Sequence, residues 1–222
     1  MSEIQIPEKL EPDCNNCQGL CCVAPRHSIE DGFPLHEDKR MGEPCQHLEL
    51  DPASIQGLYR CQIHANLKQL GWATCAGYTC HGAGQAVSAF FEEMGIKWSE
   101  EFPDPKNLEE IDARDNKVGN FFFGFLALAE VFRFLEHINR RYGPSAFLRS
   151  KDAVKELMPE FCRELESEDS TVDYVNWVTV KFDRVIKDAI YGVTKKIVST
   201  SAEPTTNSSI VPASRLSARS KS

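Results

Sequence analysis

Eight of the nine cysteines of this 222-residue chain fall between residues 14 and 80, and that crowding constrains the fold more than any hydrophobic period does. They run Cys14-x2-Cys17-x3-Cys21-Cys22, then Cys45, Cys61, Cys75 and Cys80. From residue 14 to residue 53, Gly, Pro, Asp and His recur without helical or strand periodicity, so the segment reads as irregular loop. A loop of this length is rare inside a compact domain unless something ties it down. Thiolate–metal bonds would do so, because metal binding becomes folding free energy in such a segment.

The start MSEIQIPEKLEPD is acidic, carries Pro7 and Pro12 and has no apolar run behind a basic region, so no signal peptide is expected and the expected address is the cytoplasm. Disulfides are rare in that reducing compartment, which leaves metal binding or redox work for clustered thiols. A net charge of -8 and a pI near 5.3 argue against nucleic acid as a partner. The most apolar stretch, Phe121 to Ala129, is far shorter than the roughly 20 residues needed to span a bilayer, so no membrane partner is expected.

The expected fold class is mainly α: a loop-rich, cysteine- and metal-stapled N-terminal module followed by a helical C-terminal region. Residues 1–13 read as an extended polar lead, 14–98 as the cysteine-rich metal-binding module, 99–106 (SEEFPDPK) as a linker, 107–198 as the helical region and 199–222 as a disordered tail of low hydrophobicity. Within the module, Ile63, Leu67 and Leu70 predict one helix ending near Gly71. Val87, Phe90, Phe91 and Met94 predict another that Gly95 would close with a left-handed cap. Asn107 with Glu110 has capping-box spacing for a short helix. Residues 120–142 give the strongest helical period; a second helix carries Val154, Met158, Phe161 and Leu165, with Pro159 predicted to kink or restart it. A third opens near Ser170 and Asp173, although Val178 to Phe182 also alternates like a strand. The cluster Phe121, Phe122, Phe123 and Phe125 suits either the core or a surface for a homo-oligomer or protein partner.

The candidate metal ligands are Cys14, Cys17, Cys21, Cys22, Cys45, Cys61, Cys75 and Cys80. Four histidines, His27, His47, His64 and His81, stand near cysteines, and His64 and His81 are the most suggestive because each falls at the start of a predicted helix. A C-x2-C turn brings Cys14 and Cys17 to one tetrahedral ion, and Cys75-x4-Cys80 offers a second pair with wider spacing. The adjacent Cys21 and Cys22 chelate one ion poorly and suit two metals or two corners of a polynuclear cluster. Eight thiols divide into two four-ligand sites, or supply one four-cysteine iron–sulfur cluster with four to spare. Zinc is the expected cofactor, with an iron–sulfur cluster as the alternative. Cys162 reads as a core residue.

Cys14-x2-Cys17-x3-Cys21-Cys22, followed by Glu43-Pro-Cys45-Gln-His-Leu48 and Tyr59-Arg-Cys61-Gln-Ile-His64, resembles the CxxCxxCC cysteine-cluster proteins, a family of zinc or iron chelators. Tyr78-Thr-Cys80-His-Gly-Ala-Gly-Gln85 looks like the amino-terminal cysteine-rich region of some bacterial pentapeptide-repeat proteins, although no such repeats follow here. The resemblance covers about residues 14–95 and implies a bacterial cytosolic metal-binding module. Flagellin lysine methylases carry a related cluster, which implies an iron–sulfur enzyme as an alternative. Residues 96–198 show no glycine-rich nucleotide or methyl-donor motif, and no acid–base or nucleophilic set stands out. The expectation is therefore a non-catalytic metal-binding protein with a structural or regulatory role. A thiol redox sensor built on Cys21 and Cys22 is a further alternative.

Overall fold

The phenylalanine-rich stretch after residue 117 folds as the helix against which the rest is laid. A computed structural model of the chain describes residues 3–35, 38–51, 59–96, 117–167, 173 and 176–200. The linker expected at 99–106, the short helix expected after Asn107 and the tail beyond residue 200 lie outside the described residues. Helix α1 spans Leu20–Val23, α2 Ala73–Gly77, α3 Ala83–Glu93, α4 Lys117–Tyr142, α5 Pro144–Glu166 and α6 Asp183–Thr200, and a π-helical stretch, Trp177–Phe182, leads into α6. Strands β1, Leu48–Leu50, and β2, Tyr59–Cys61, pair antiparallel with Leu48 opposite Cys61. The protein is mainly helical, with a loop-rich part before residue 80 and helices after it.

Along α4, Phe121, Phe122, Phe125, Leu128, Phe132 and Leu135 are buried, so three of the four clustered phenylalanines fill the core. Arg140 and Arg141 in its last turn sit where helix carbonyls favour cations. Gly143 then takes a positive φ of 81°, and Pro144 opens α5 at a position that has no use for an N–H. Helix α5 runs through Pro159 to Glu166 and buries Val154, Met158, Phe161, Cys162 and Leu165. It approaches α4 closely at Gly124, where a Cβ would stand 3.1 Å from both terminal carbons of Leu165.

The segment whose alternation also suits a strand is π-helical for a packing reason. Trp177 and Phe182 are five residues apart and both bury against Phe161, with ring centroids at 4.9 and 5.5 Å, and an i→i+5 helix brings that spacing onto one face. Lys181 places its ammonium 4.0 Å from the Trp177 ring centre and 2.7 Å from the Glu160 carboxylate.

The polar lead is fastened down more firmly than its composition suggests. Ile4, Ile6 and Leu10 are buried in the same core as α4 and α5. The Ile4 N–H donates to Cys162 Sγ at 3.4 Å, and Lys151 Nζ donates to the carbonyls of Pro7 and Glu8 at 2.6 and 3.4 Å. Gln85 of α3 holds the other end, donating to the Glu11 carbonyl and accepting from the Asp13 N–H.

Helix α3 forms as expected and ends in a Schellman turn: Gly95 has φ 72°, its N–H reaches the Glu92 carbonyl, and the Ile96 N–H reaches the Phe91 carbonyl. Its Phe91 ring stacks on Phe121 of α4 with centroids 4.2 Å apart. The helix expected over Ile63 to Leu70 does not form. A 3-10 turn, His64–Asn66, and a run of turns stand there instead. Only Leu67 is buried in that stretch, and a short helix without an apolar face gains too little packing to persist.

Phe161 joins α5 to the π-helical stretch, so Phe161→Ala is expected to cost about 3–5 kcal/mol of stability. Chemical denaturation followed by far-UV circular dichroism measures it.

Candidate metal centre

The first turn of α3 forms one wall of the thiol cluster. Cys80 leads into it through His81 and Gly82, whose φ values are 51° and 92°. Gly82 is required there, since a Cβ would stand 2.9 Å from the Pro7 ring. Gly84 serves the sulfurs: a Cβ on it would lie 2.7 Å from Cys17 Sγ and 3.6 Å from Cys80 Sγ. Both sulfurs therefore rest against backbone at the end of α3 whose N–H groups lack helical partners. The Gln18 N–H, next to Cys17, donates to Ser88 of the same helix at 3.0 Å.

The opposite wall is built from the sheet and α2. The Cys45 N–H donates to the Cys22 carbonyl at 2.9 Å, and the β1–β2 register carries Cys61 in beside Leu48. Cys75 lies within α2, which follows the buried Trp72. Cys45 belongs to a small apolar cluster with Phe33, Leu67 and Trp72, and Cys22, Cys61 and Cys75 pack against it. Cys17 belongs instead to the main core, with Cys21 and Cys80 packed against that.

All eight expected cysteines line a single cavity of about 890 Å³. They are free thiols, as is Cys162, which is buried away from them in the core as expected. His27, His47 and His64 also line the cavity. His81 does not; it is buried, and the charges bearing on it are those of Glu136, Arg140, Arg133 and Glu130 on α4. Cys21 and Cys22 bring their sulfurs to 4.0 Å. Among the described residues, no group of three or more Cys, His, Asp or Glu side chains stands ready to hold one ion.

Burial and mutual repulsion set the thiol chemistry. Burial pushes Cys17 up to about 12, despite backbone hydrogen bonds from Leu20 and Gly19, with Cys21 and Cys80 adding to the rise. Burial first, then Cys21 and Cys80, raise Cys14. Burial followed by Cys45, Cys21 and Cys61 raises Cys75 to about 11. Cys22 is held protonated above all by its hydrogen bonds with Cys21 and Cys61. Those same bonds lower its two partners, bringing Cys61 to about 7 and making it a thiol that ionises near neutrality.

Two residues that sequence reasoning missed or passed over complete the frame. Lys39 is 4 % exposed, and its ammonium donates to the carbonyls of Val23, Pro25 and Arg40 at 3.0, 2.6 and 3.0 Å. Burial lowers its pKa to about 8, while Glu43, Cys45, Cys22 and Cys75 pull the other way. His27 pairs its backbone with Lys39, stacks on Phe33 at 4.3 Å and leaves a buried Nδ1 without a partner among the described residues. The donor set of soft thiols, the sulfur-shaped hollow at Gly84 and this orphan nitrogen suit a thiophilic metal group.

No family model and no solved structure matches the chain. It is 40% identical over 89 residues to a protein of Bacillus subtilis (strain 168) named "Uncharacterized protein YybG"; the match takes in 40% of this chain and 28% of that protein. The chain thus spans less than a third of that bacterial relative's length.

Gly84→Ala is expected to lower the melting temperature, because its Cβ would stand 2.7 Å from the sulfur of the buried Cys17, a clash that outweighs alanine's helix preference of up to about 1 kcal/mol. Thermal melting measures it. Lys39→Met orphans three carbonyls of their charged donor and is expected to destabilise by about 1.5–3 kcal/mol in a denaturant titration.

Proposed function

We propose that this protein is a metal-binding protein whose eight cysteines, Cys14, Cys17, Cys21, Cys22, Cys45, Cys61, Cys75 and Cys80, hold zinc, and that the metal staples the loop-rich module to the helical region. The supporting observation is that thiols from six separate places along residues 14–80 line one cavity and are free. Zinc would supply tetrahedral thiolate bonds that reinforce the small apolar cluster of Phe33, Leu67 and Trp72. His64, the possible histidine ligand of the sequence expectations that lines the cavity, stands beside this thiol set as a substitute donor. Such chemistry needs a reducing compartment, which makes the cytoplasm the proposed location. Among the described residues no helix is long and apolar enough to cross a membrane.

Iron–sulfur binding is the second reading, supported by a cavity of about 890 Å³, ample for a polynuclear cluster, around which the thiols are spread. In either case the role is structural or regulatory, in keeping with the resemblance to cysteine-cluster chelators. A redox-sensing role draws support from Cys61, lowered to about 7 and half-buried. It requires that thiol to be uncommitted to metal.

Anaerobic purification followed by zinc, iron and sulfide analysis separates the readings. A colourless protein with stoichiometric zinc is expected; a brown one with iron and sulfide supports the cluster, and a metal-free protein with eight reactive thiols overturns both. Metal binding requires thiolates, and Cys17 and Cys75 ionise only near 12 and 11 in the metal-free protein. Affinity is therefore expected to rise with pH between about 6 and 8, with protons released on binding. Calorimetry in two buffers of different ionisation enthalpy measures that release.

A further inference from the structure

The eight thiols do not form one undivided set. We infer that they make two four-thiolate metal centres, one from Cys14, Cys17, Cys21 and Cys80 and the other from Cys22, Cys45, Cys61 and Cys75, meeting at the Cys21-Cys22 peptide. This inference rests on the metal-binding function proposed above and assigns its ligands.

Packing carries the division. Cys17, Cys21 and Cys80 are set in the main core, whose α3 presents Gly84 to the sulfurs of Cys17 and Cys80. Cys45, Cys22, Cys61 and Cys75 are set in or against the separate cluster of Phe33, Leu67 and Trp72. Cys45 is tied to Cys22 by a backbone bond, and Cys61 shares a hydrogen bond with Cys22. Cys14 opens a 3-10 turn, Cys14–Asn16, that packs against the same α3. Cys21 stands at the seam, its sulfur 4.0 Å from that of Cys22.

Two consequences follow for the ligands. The vicinal pair serves two centres: Cys21 packs against the main core and Cys22 against the small cluster, so each goes to the centre on its own side. The pair Cys75 and Cys80, whose spacing suggests a common ion, is separated: Cys75 faces the small cluster and Cys80 the main core. Lys39 lies beside the second set, near Cys45, Cys22 and Cys75, where four thiolates on one dication would leave a net negative charge.

The full chain loaded with cadmium alone tests this directly. Proton–cadmium correlation spectra are expected to show two cadmium signals, one coupled to the β-protons of Cys14, Cys17, Cys21 and Cys80 and the other to those of Cys22, Cys45, Cys61 and Cys75. Coupling of Cys75 and Cys80 to one cadmium, or a single cluster with bridging thiolates, overturns the division while leaving the metal-binding function standing. A chain that takes up no cadmium, zinc or iron overturns both. Metal counts on variants give an independent check: Cys14→Ser/Cys80→Ser is expected to keep one metal per chain, and Cys75→Ser/Cys80→Ser to lose both. The reverse pattern, with far-UV circular dichroism unchanged, overturns the assignment.

Discussion

Helix α3 is wedged so that its position fixes everything around it. Its apolar side stacks Phe91 on Phe121 of α4, its Gln85 and Ser88 hold the backbone at Asp13 and Gln18, and its first turn abuts two sulfurs through Gly84. A shift of the helix along its axis would unstack an aromatic pair, break polar contacts to the lead and close the hollow that receives Cys17. Close-packed interiors transmit such displacements instead of absorbing them. The cysteine-rich segment and the helical region therefore share one core, into which Ile4, Leu20, Val87, Phe121 and Phe161 all contribute.

The thiols crowd one another electrostatically. Enclosed together, they resist ionisation, and Cys17, Cys75 and Cys22 are all driven up by burial or by each other. Lys39, whose charge bears on Cys45, Cys22 and Cys75, is committed to three backbone carbonyls and is itself desolvated. Buried ionic groups are tolerated when paired or when they coordinate metal. Among the thiols, Cys21 and Cys61 are the exceptions to this resistance, each lowered above all by its hydrogen bond with Cys22.

Much of this was legible in the sequence because periodicity reports burial. The helices over 117–142 and 144–166 and the cap at Gly95 follow from apolar spacing and from glycine's access to positive φ. What lay hidden depended on contacts distant in the chain. The lead looked polar because its buried residues, Ile4, Ile6 and Leu10, are few and widely spaced. The helix expected after Cys61 failed because its apolar spacing had no surface to meet, and the strand-like Val178 to Phe182 yielded to the aromatic pair that Phe161 gathers. For the site, cysteine type and crowding were sufficient to name the eight residues that line the cavity, whereas the packing of Cys75 against the small cluster and of Cys80 against the main core depends on contacts distant in the chain. Nothing local marks Lys39, whose partners are carbonyls that any residue possesses.

The fastening of the lead has a consequence for the order of assembly. Ile4 meets Cys162 across 158 positions, and Pro7 meets Lys151 across 144. During synthesis the lead emerges before the surface that receives it exists, and the cysteine-rich segment leaves the ribosome with that side of its core uncovered. The strap closes only after α5 has been made. Such long-range closure makes folding slow relative to a local helical bundle, and it leaves an interval in which the thiols are more accessible to small solutes than in the finished protein.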